Sequence, residues 1–188
     1  MGKAAYAFSL ALISGLTFGC TQSDSQIDYA DFDPSYNSQN FGNYHKDRDT
    51  RVVIIGSTLG EAPAVFGRMV TDAMQGQNRG GRTNFTTIPG ASAEDNLRVV
   101  MAFDVASYGN SICDGHIPKP VKTPGVTTVQ GAWCWGNRAQ SYISARTKAT
   151  SAASPEFRRL IGDVTREMFP QNLRRKLDEN SSDHCVGC

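Results

Sequence analysis

Five cysteines carry most of the chemistry that this sequence could perform: Cys20, Cys113, Cys134, Cys185 and Cys188. Exported thiols tend to pair, and an even number remains once Cys20 is set aside. We predict a Cys113–Cys134 disulfide, because both residues flank the central β region. A loop of about 20 residues is easily closed and contributes ~3 kcal/mol in the chain-entropy treatment. The alternative is two buried free thiols.

The last four residues, Cys185-Val186-Gly187-Cys188, form a CxxC motif. Such a motif can be a redox pair or half of a metal site. No helix follows it to lower a thiol pKa, and no second cysteine pair completes a zinc site. We therefore predict a local Cys185–Cys188 disulfide or a mobile tail, with a thiol oxidoreductase as an alternative function. We predict no metal and no cofactor.

A second candidate site is the segment Gly56-Ser57-Thr58-Leu59-Gly60-Glu61, between a buried strand and a helix. Backbone N–H groups at a helix start attract anions. The segment nevertheless lacks the lysine and spacing of a P-loop and the G-x-G-x-x-G pattern, and Glu61 would repel a phosphate. We favour a plain turn and keep a small anionic-ligand module as an alternative. No histidine is spaced to activate Ser57, so we predict no enzymatic activity.

The charge balance of the chain gives no reason to expect a nucleic-acid partner. The chain carries 19 basic and 18 acidic residues, a formal net charge of +1, which does not indicate nucleic-acid binding. The basic residues near the carboxyl end read as a solvated helix face with favourable charges at its end: Arg158, Arg159, Arg166, Arg174, Arg175 and Lys176.

The amino terminus has the pattern of a secretory signal. One basic residue, Lys3, precedes an uncharged run from Ala4 to Gly19, which is short for a membrane span and ends at Cys20. The ending resembles the lipobox of bacterial lipoproteins, which implies that Cys20 carries fatty acyl chains such as palmitate and becomes the mature terminus. Thr21 follows Cys20, which resembles the outer-membrane sorting pattern of enteric lipoproteins. The alternative is an ordinary signal peptide with Cys20 as a free thiol.

We predict four segments: a signal peptide over 1–19, a flexible tether over 20–50, an α/β domain over 51–170 and a tail over 171–188. The tether is assigned because its polar composition would bury too little apolar surface. The domain reads as an α+β fold, one mixed sheet of about five strands with two packed helices, in the order β-α-β-β-β-β-α.

Individual elements follow from periodicity and turn residues. Val52–Ile55 reads as a strand buried on both faces and residues 98–105 as a half-buried strand. Residues 107–125 read as a surface loop, and residues 127–147 as a hairpin around Gly136-Asn137. The last helix is expected to be capped by Ser154, with Pro155 at its first position and an apolar stripe of Phe157, Leu160, Ile161, Val164 and Met168.

The sequence resembles a family of small, mostly alphaproteobacterial lipoproteins with no assigned activity. The residues that carry the resemblance are Arg51-Val52-Val53-Ile54-Ile55-Gly56, Ala73-Met74-Gln75-Gly76, Arg82-Thr83-Asn84-Phe85-Thr86-Thr87-Ile88-Pro89-Gly90, Arg98-Val99-Val100-Met101, Cys113, Cys134 and Phe169-Pro170. The resemblance implies an envelope location. We therefore expect a lipid-anchored, non-enzymatic envelope protein, on the outer membrane and facing the periplasm, with a structural or protein-binding role and a possible envelope partner.

Overall fold

Residues 25–173, the part of the chain that the computed structural model describes, form a mixed six-stranded sheet with helices packed on it. The strands are β1 Ser25–Phe32, β2 Asp49–Gly56, β3 Asn84–Thr86, β4 Leu97–Phe103, β5 Thr127–Trp135 and β6 Arg138–Thr147. The helices are α1 Ser38–His45, α2 Pro63–Met74 and α3 Pro155–Met168, and a short 3₁₀ helix spans Gly109–Cys113. Within this part of the chain, no helix is both long enough and apolar enough to cross a bilayer.

The strand order across the sheet is β1-β6-β5-β4-β2-β3. Strands β3, β2 and β4 are parallel, and β4, β5, β6 and β1 alternate in direction. From β2 onward the elements follow the predicted order, and the predicted α+β class with one mixed sheet is confirmed. The predicted hairpin is also present, because β5 and β6 pair on either side of Gly136-Asn137.

The predicted tether over 20–50 is wrong for its described part, which adds a sixth strand and a third helix. Strand β1 pairs antiparallel with β6, from Ser25 opposite Thr147 to Phe32 opposite Ser141. Hydrogen bonds between β1 and β6 pair the backbone N–H and C=O groups of both strands, whatever their side chains are. They also cover the edge that β6 would otherwise expose. The aromatic residues of the segment supply the apolar surface that its few aliphatic residues do not, since Phe41 of α1 is fully buried.

Helices α1, α2 and α3 all pack on one face of the sheet, which we call the helix face. Ser154 Oγ accepts the Phe157 N–H at 3.1 Å, Pro155 begins α3, and all five stripe residues are buried, as predicted. Helix α2 begins at Pro63, with Ala62 as its cap residue. The buried faces of α2 and α3 pack against the sheet and form the main core.

The opposite face, the loop face, is covered by residues 105–121, which contain the short 3₁₀ helix Gly109–Cys113. Strand β4 was predicted to be half-buried, but it is buried on both sides because this segment folds across it. Gln130 holds the segment in place: its side-chain oxygen accepts the Tyr108 N–H at 2.9 Å, and its amide donates to the Val105 carbonyl at 3.1 Å. Strand β2 lies towards the edge, so only Val52 of its apolar run is fully buried.

Candidate functional site

An open polar groove of about 910 Å³ lies at one edge of the sheet. It lies where β2 and β3 begin, beside the loop that follows α2. Glycines and polar residues line it, and the polar residues include Asp47, Asp49, Gln75, Arg82, Asn84 and Ser92. The groove therefore offers many hydrogen-bonding groups on a surface fixed by two parallel strands.

Asp49 provides a fixed negative charge in this groove. Its carboxylate accepts the Asn84 side-chain amide at 2.8 Å and the Gly90 backbone N–H at 2.7 Å. These two bonds lower the pKa of the Asp49 carboxyl below its ordinary value, the Asn84 bond most. Asp49 is thus ionised at neutral pH and positioned by β3 and the loop after it.

Below the groove, a chain of buried polar side chains runs from the core to the surface. The Trp133 indole N–H faces Nε2 of His45 at 3.2 Å, and Nδ1 of His45 lies 2.8 Å from Thr50 Oγ1. Indole is only a donor, so Nε2 must accept and the imidazole proton is on Nδ1. Thr50 Oγ1 is 2.6 Å from Thr83 Oγ1, and Thr83 donates to the Arg48 carbonyl at 2.8 Å. Each group in the chain therefore donates its proton to the next group in the direction of the groove.

His45 is held neutral by its surroundings. It is 1% exposed and stacks on Phe41, with ring centroids 4.6 Å apart. Burial, and secondly the nearby Arg48 charge, lower the pKa of His45 to about 4. A neutral imidazole that links an indole to two hydroxyl groups is a structural element, and the chain joins α1, β2 and β5 beneath the groove.

The Gly56–Glu61 turn is present, but much of its backbone is already hydrogen-bonded. Three N–H groups find partners within or beside the turn: Ser57 to the Phe103 carbonyl, Leu59 to Ser57 Oγ, and Glu61 to the Thr58 carbonyl. The helix begins only at Pro63, so the turn is not itself the helix start. The anionic-ligand alternative at this turn stays a prediction, with fewer free donors than the sequence suggested.

The structure contains the Cys113–Cys134 disulfide, with a Cα–Cα distance of 5.7 Å. Both cysteines are fully buried on the loop face. The bond ties the 3₁₀ helix to β5, and so fixes the segment that covers the sheet. Cys20, Cys185 and Cys188 lie outside the described residues, and the predictions for them stand as made.

The basic residues of α3 border a second cavity of about 640 Å³ between α2 and α3. Arg158 and Arg159 are exposed, as a solvated helix face requires. Arg166 instead donates to Asp163 at 2.7 Å and to the Gln77 side chain at 2.6 Å. Arg166 therefore links α3 to the turn that follows α2. Residues 174–176 of the predicted cluster lie outside the described part.

Sequence reasoning missed His45 because it assigned residues 20–50 to a tether. The signal was present: Asn37 precedes α1 as a cap, accepting the Gln39 N–H at 2.9 Å, and Phe41 and His45 are four residues apart. No group of three or more His, Cys, Asp or Glu side chains that could hold a metal ion occurs among residues 25–173.

A structural comparison finds a similar chain in the PelC dodecamer from Paraburkholderia phytofirmans, with a TM-score of 0.44 and 12% sequence identity. The superposition covers 79% of this chain and 99% of that chain. No protein-family model matches the sequence, and a search of curated proteins finds no match. A structural similarity this distant supports no conclusion about function or assembly.

Proposed function

We propose that this protein is a lipid-anchored component of the cell envelope that binds a protein partner and catalyses no reaction. It would belong with the small lipoproteins that its sequence resembles. The observation that carries the proposal is the register of the sheet. It places the polar groove at the opposite end of the sheet from the start of β1, the strand that follows Cys20.

The anchor, if Cys20 carries it, would hold the domain close to the bilayer. Strand β1 begins at Ser25, five positions after Cys20. A chain spans at most about 3.6 Å per residue, so the two Cα atoms lie within about 18 Å of each other. This reach is much shorter than a tether of thirty residues would allow.

The ladders define which end of the sheet is near the anchor. Ser25 pairs with Thr147, and Thr147 pairs with Thr127 at the start of β5. Strand β5 then runs away from this end to Trp135, which lies opposite Leu97 at the start of β4. We call the far end the distal end. It lies about 25–30 Å from the anchor end, at about 3.4 Å per strand residue.

The distal end carries the groove and a pair of accessible aromatic side chains. Strand β2 is parallel to β4, so Asp49, the first residue of β2, lies at the same end of the sheet as Leu97, the first residue of β4. Trp135 is 39% exposed and packs edge-on against Tyr44, with ring centroids 5.2 Å apart. Exposed tryptophan and tyrosine beside polar groups are enriched at the energetic centres of protein interfaces. A partner approaching from the periplasm would meet this surface first.

Site-specific photo-crosslinking in living cells tests the proposal. A photoreactive residue at Arg82, in the groove, is compared with one at Lys148, beside the end of β6 at the anchor end; both positions are exposed. We expect a discrete protein adduct from position 82 and none from position 148. In the Trp135→Ala background the adduct should weaken at least fivefold.

Tyr29→Ala provides the matched control, because Tyr29 is 55% exposed but lies within β1, away from the groove. It should leave the adduct unchanged. An adduct of equal yield from positions 82 and 148, or one indifferent to Trp135, would contradict binding at the distal end.

A further inference from the structure

Two arginines stand side by side on the loop face, at the start of neighbouring strands. The β2–β4 register pairs Val52 with Val99, which brings Arg51 next to Arg98. Adjacent strands are about 4.8 Å apart, and alternate residues point to the same face. Val53, two residues after Arg51, packs in the loop-face cluster, and Arg98 bonds to a residue of that cluster. Both guanidinium groups therefore project on one side.

Neither arginine has an acidic partner in the described part of the chain. No ion pair within 4.0 Å involves Arg51 or Arg98 among residues 25–173. The Nε atom of Arg51 is buried and has no hydrogen-bond partner. One Nη of Arg98 donates to the Cys113 carbonyl at 2.5 Å. Two like charges, both partly removed from water, are thus placed together without compensation.

The surroundings of the pair are fixed and contain a further donor. On the side away from β4, Arg51 is paired with Thr86 of β3, whose hydroxyl group is this further donor. The Cys113 carbonyl that holds Arg98 belongs to a cysteine bonded to β5. Arg98 is therefore held between the sheet and a disulfide-tied segment, and Arg51 lies on the neighbouring strand.

We propose that Arg51 and Arg98 form a binding site for a compact oxyanion, a phosphate or carboxylate group of a small ligand. The planar fork of a guanidinium matches the paired oxygens of both groups. A bound oxyanion would accept hydrogen bonds from the guanidinium groups and offset the repulsion between the two cations. This site is on the loop face and does not depend on the proposed protein partner or on the lipid anchor.

The test is calorimetric titration of the full mature protein with inorganic phosphate, and separately with succinate, each against sodium chloride at equal ionic strength. We expect saturable binding of at least one of the two. Arg51→Met keeps the apolar stem and should weaken that binding at least tenfold, while the control Arg79→Met, which removes the same charge from an exposed loop position, should not. Succinate binding alone would assign the site to carboxylates, and phosphate binding alone to phosphates.

Thermal unfolding in chloride alone separates a binding role from a structural one. Without an oxyanion, Arg51→Met should not lower the melting temperature, because it removes a repulsion. A clear fall would show that Arg51 supports the fold and would overturn the proposal, as would binding of neither anion or equal binding by wild type and Arg51→Met. Should Arg51→Met fail to fold, Arg51→Lys keeps the charge without the fork and should bind several-fold more weakly; unchanged binding would also overturn the proposal.

Discussion

The Trp133 indole donates its proton to Nε2 of His45 across 3.2 Å, joining β5 to the last residue of α1. The two residues are 88 positions apart in the chain. This bond requires a neutral His45, because a protonated imidazole has no acceptor to offer. A segment that looks like a polar linker is thereby tied into the centre of the core.

The first prediction is an acid-dependent loss of stability from His45. Its pKa is about 4 in the folded protein, against an ordinary value of 6.5. Below pH 6.5 the unfolded chain binds a proton that the folded chain does not. The free energy of unfolding should therefore fall by about 3 kcal/mol in all as the pH drops from 6.5 towards 4. Above pH 6.5 the contribution of His45 to this free energy should not change with pH. Denaturant unfolding at a series of pH values measures it.

The matched variants are His45→Gln and His116→Gln, the second at an exposed position. His45→Gln should be less stable at pH 7 but should lose most of the slope between pH 6.5 and 4.5. His116→Gln should keep the wild-type slope. An identical pH profile for His45→Gln and wild type would show that His45 does not cause it.

The second prediction concerns α1. Phe41 is 1% exposed, with its ring centroid 4.0 Å from that of Phe169. Phe41→Ala should reduce the free energy of unfolding by about 3–5 kcal/mol, the usual cost of truncating a buried phenylalanine. Asn43→Ala, at an exposed position of the same helix, should change it by less than about 1 kcal/mol. A loss below about 1 kcal/mol for Phe41→Ala would mean that the segment is a linker after all.

The third prediction concerns the disulfide. Replacing Cys113 and Cys134 together by alanine should lower the free energy of unfolding by about 3 kcal/mol, because the bond closes a loop of 21 residues. It should also loosen residues 105–121, seen as faster amide hydrogen exchange at Tyr108 and Ile112. Alkylation of the native protein with peptide mapping gives the direct check: quantitative labelling of both thiols would contradict the bond.

The fourth prediction compares two glycines with nearly equal backbone angles. Gly56 has φ +91° and Gly60 has φ +89°. A Cβ at Gly56 would lie 2.1 Å from the Phe103 carbonyl oxygen, whereas a Cβ at Gly60 would meet nothing within 4 Å. Gly60→Ala should cost about 1–2 kcal/mol for the left-handed conformation alone. Gly56→Ala should cost clearly more, and equal losses in thermal unfolding would contradict the close approach of β2 to β4.

Local signals predicted the elements that contain them. The cap at Ser154, the proline after it and the apolar stripe of α3 all act over a few residues, and so does the Gly136-Asn137 turn. Strand β1 carries no comparable signal. It is stabilised by backbone bonds to β6, which follows more than a hundred residues later, and a strand with polar side chains can form such a ladder at a sheet edge.

The sites were less predictable than the fold, for a related reason. The disulfide could be anticipated because cysteine has few uses outside the cytosol. The groove, the His45 chain and the arginine pair depend on register between strands. That Arg51 and Arg98 are neighbours follows from β2 and β4 being parallel and aligned at Val52 and Val99. A shift of one residue would place the two side chains on opposite faces.

The measurement that tests the account most directly is the mass of the amino-terminal peptide of the protein taken from membranes, for wild type and Cys20→Ala. The account predicts a wild-type peptide that begins at Cys20 and carries fatty acyl chains, and a Cys20→Ala protein that is no longer recovered with the membranes. An unmodified peptide that still begins at Met1, or membrane recovery that is the same for both proteins, would contradict it.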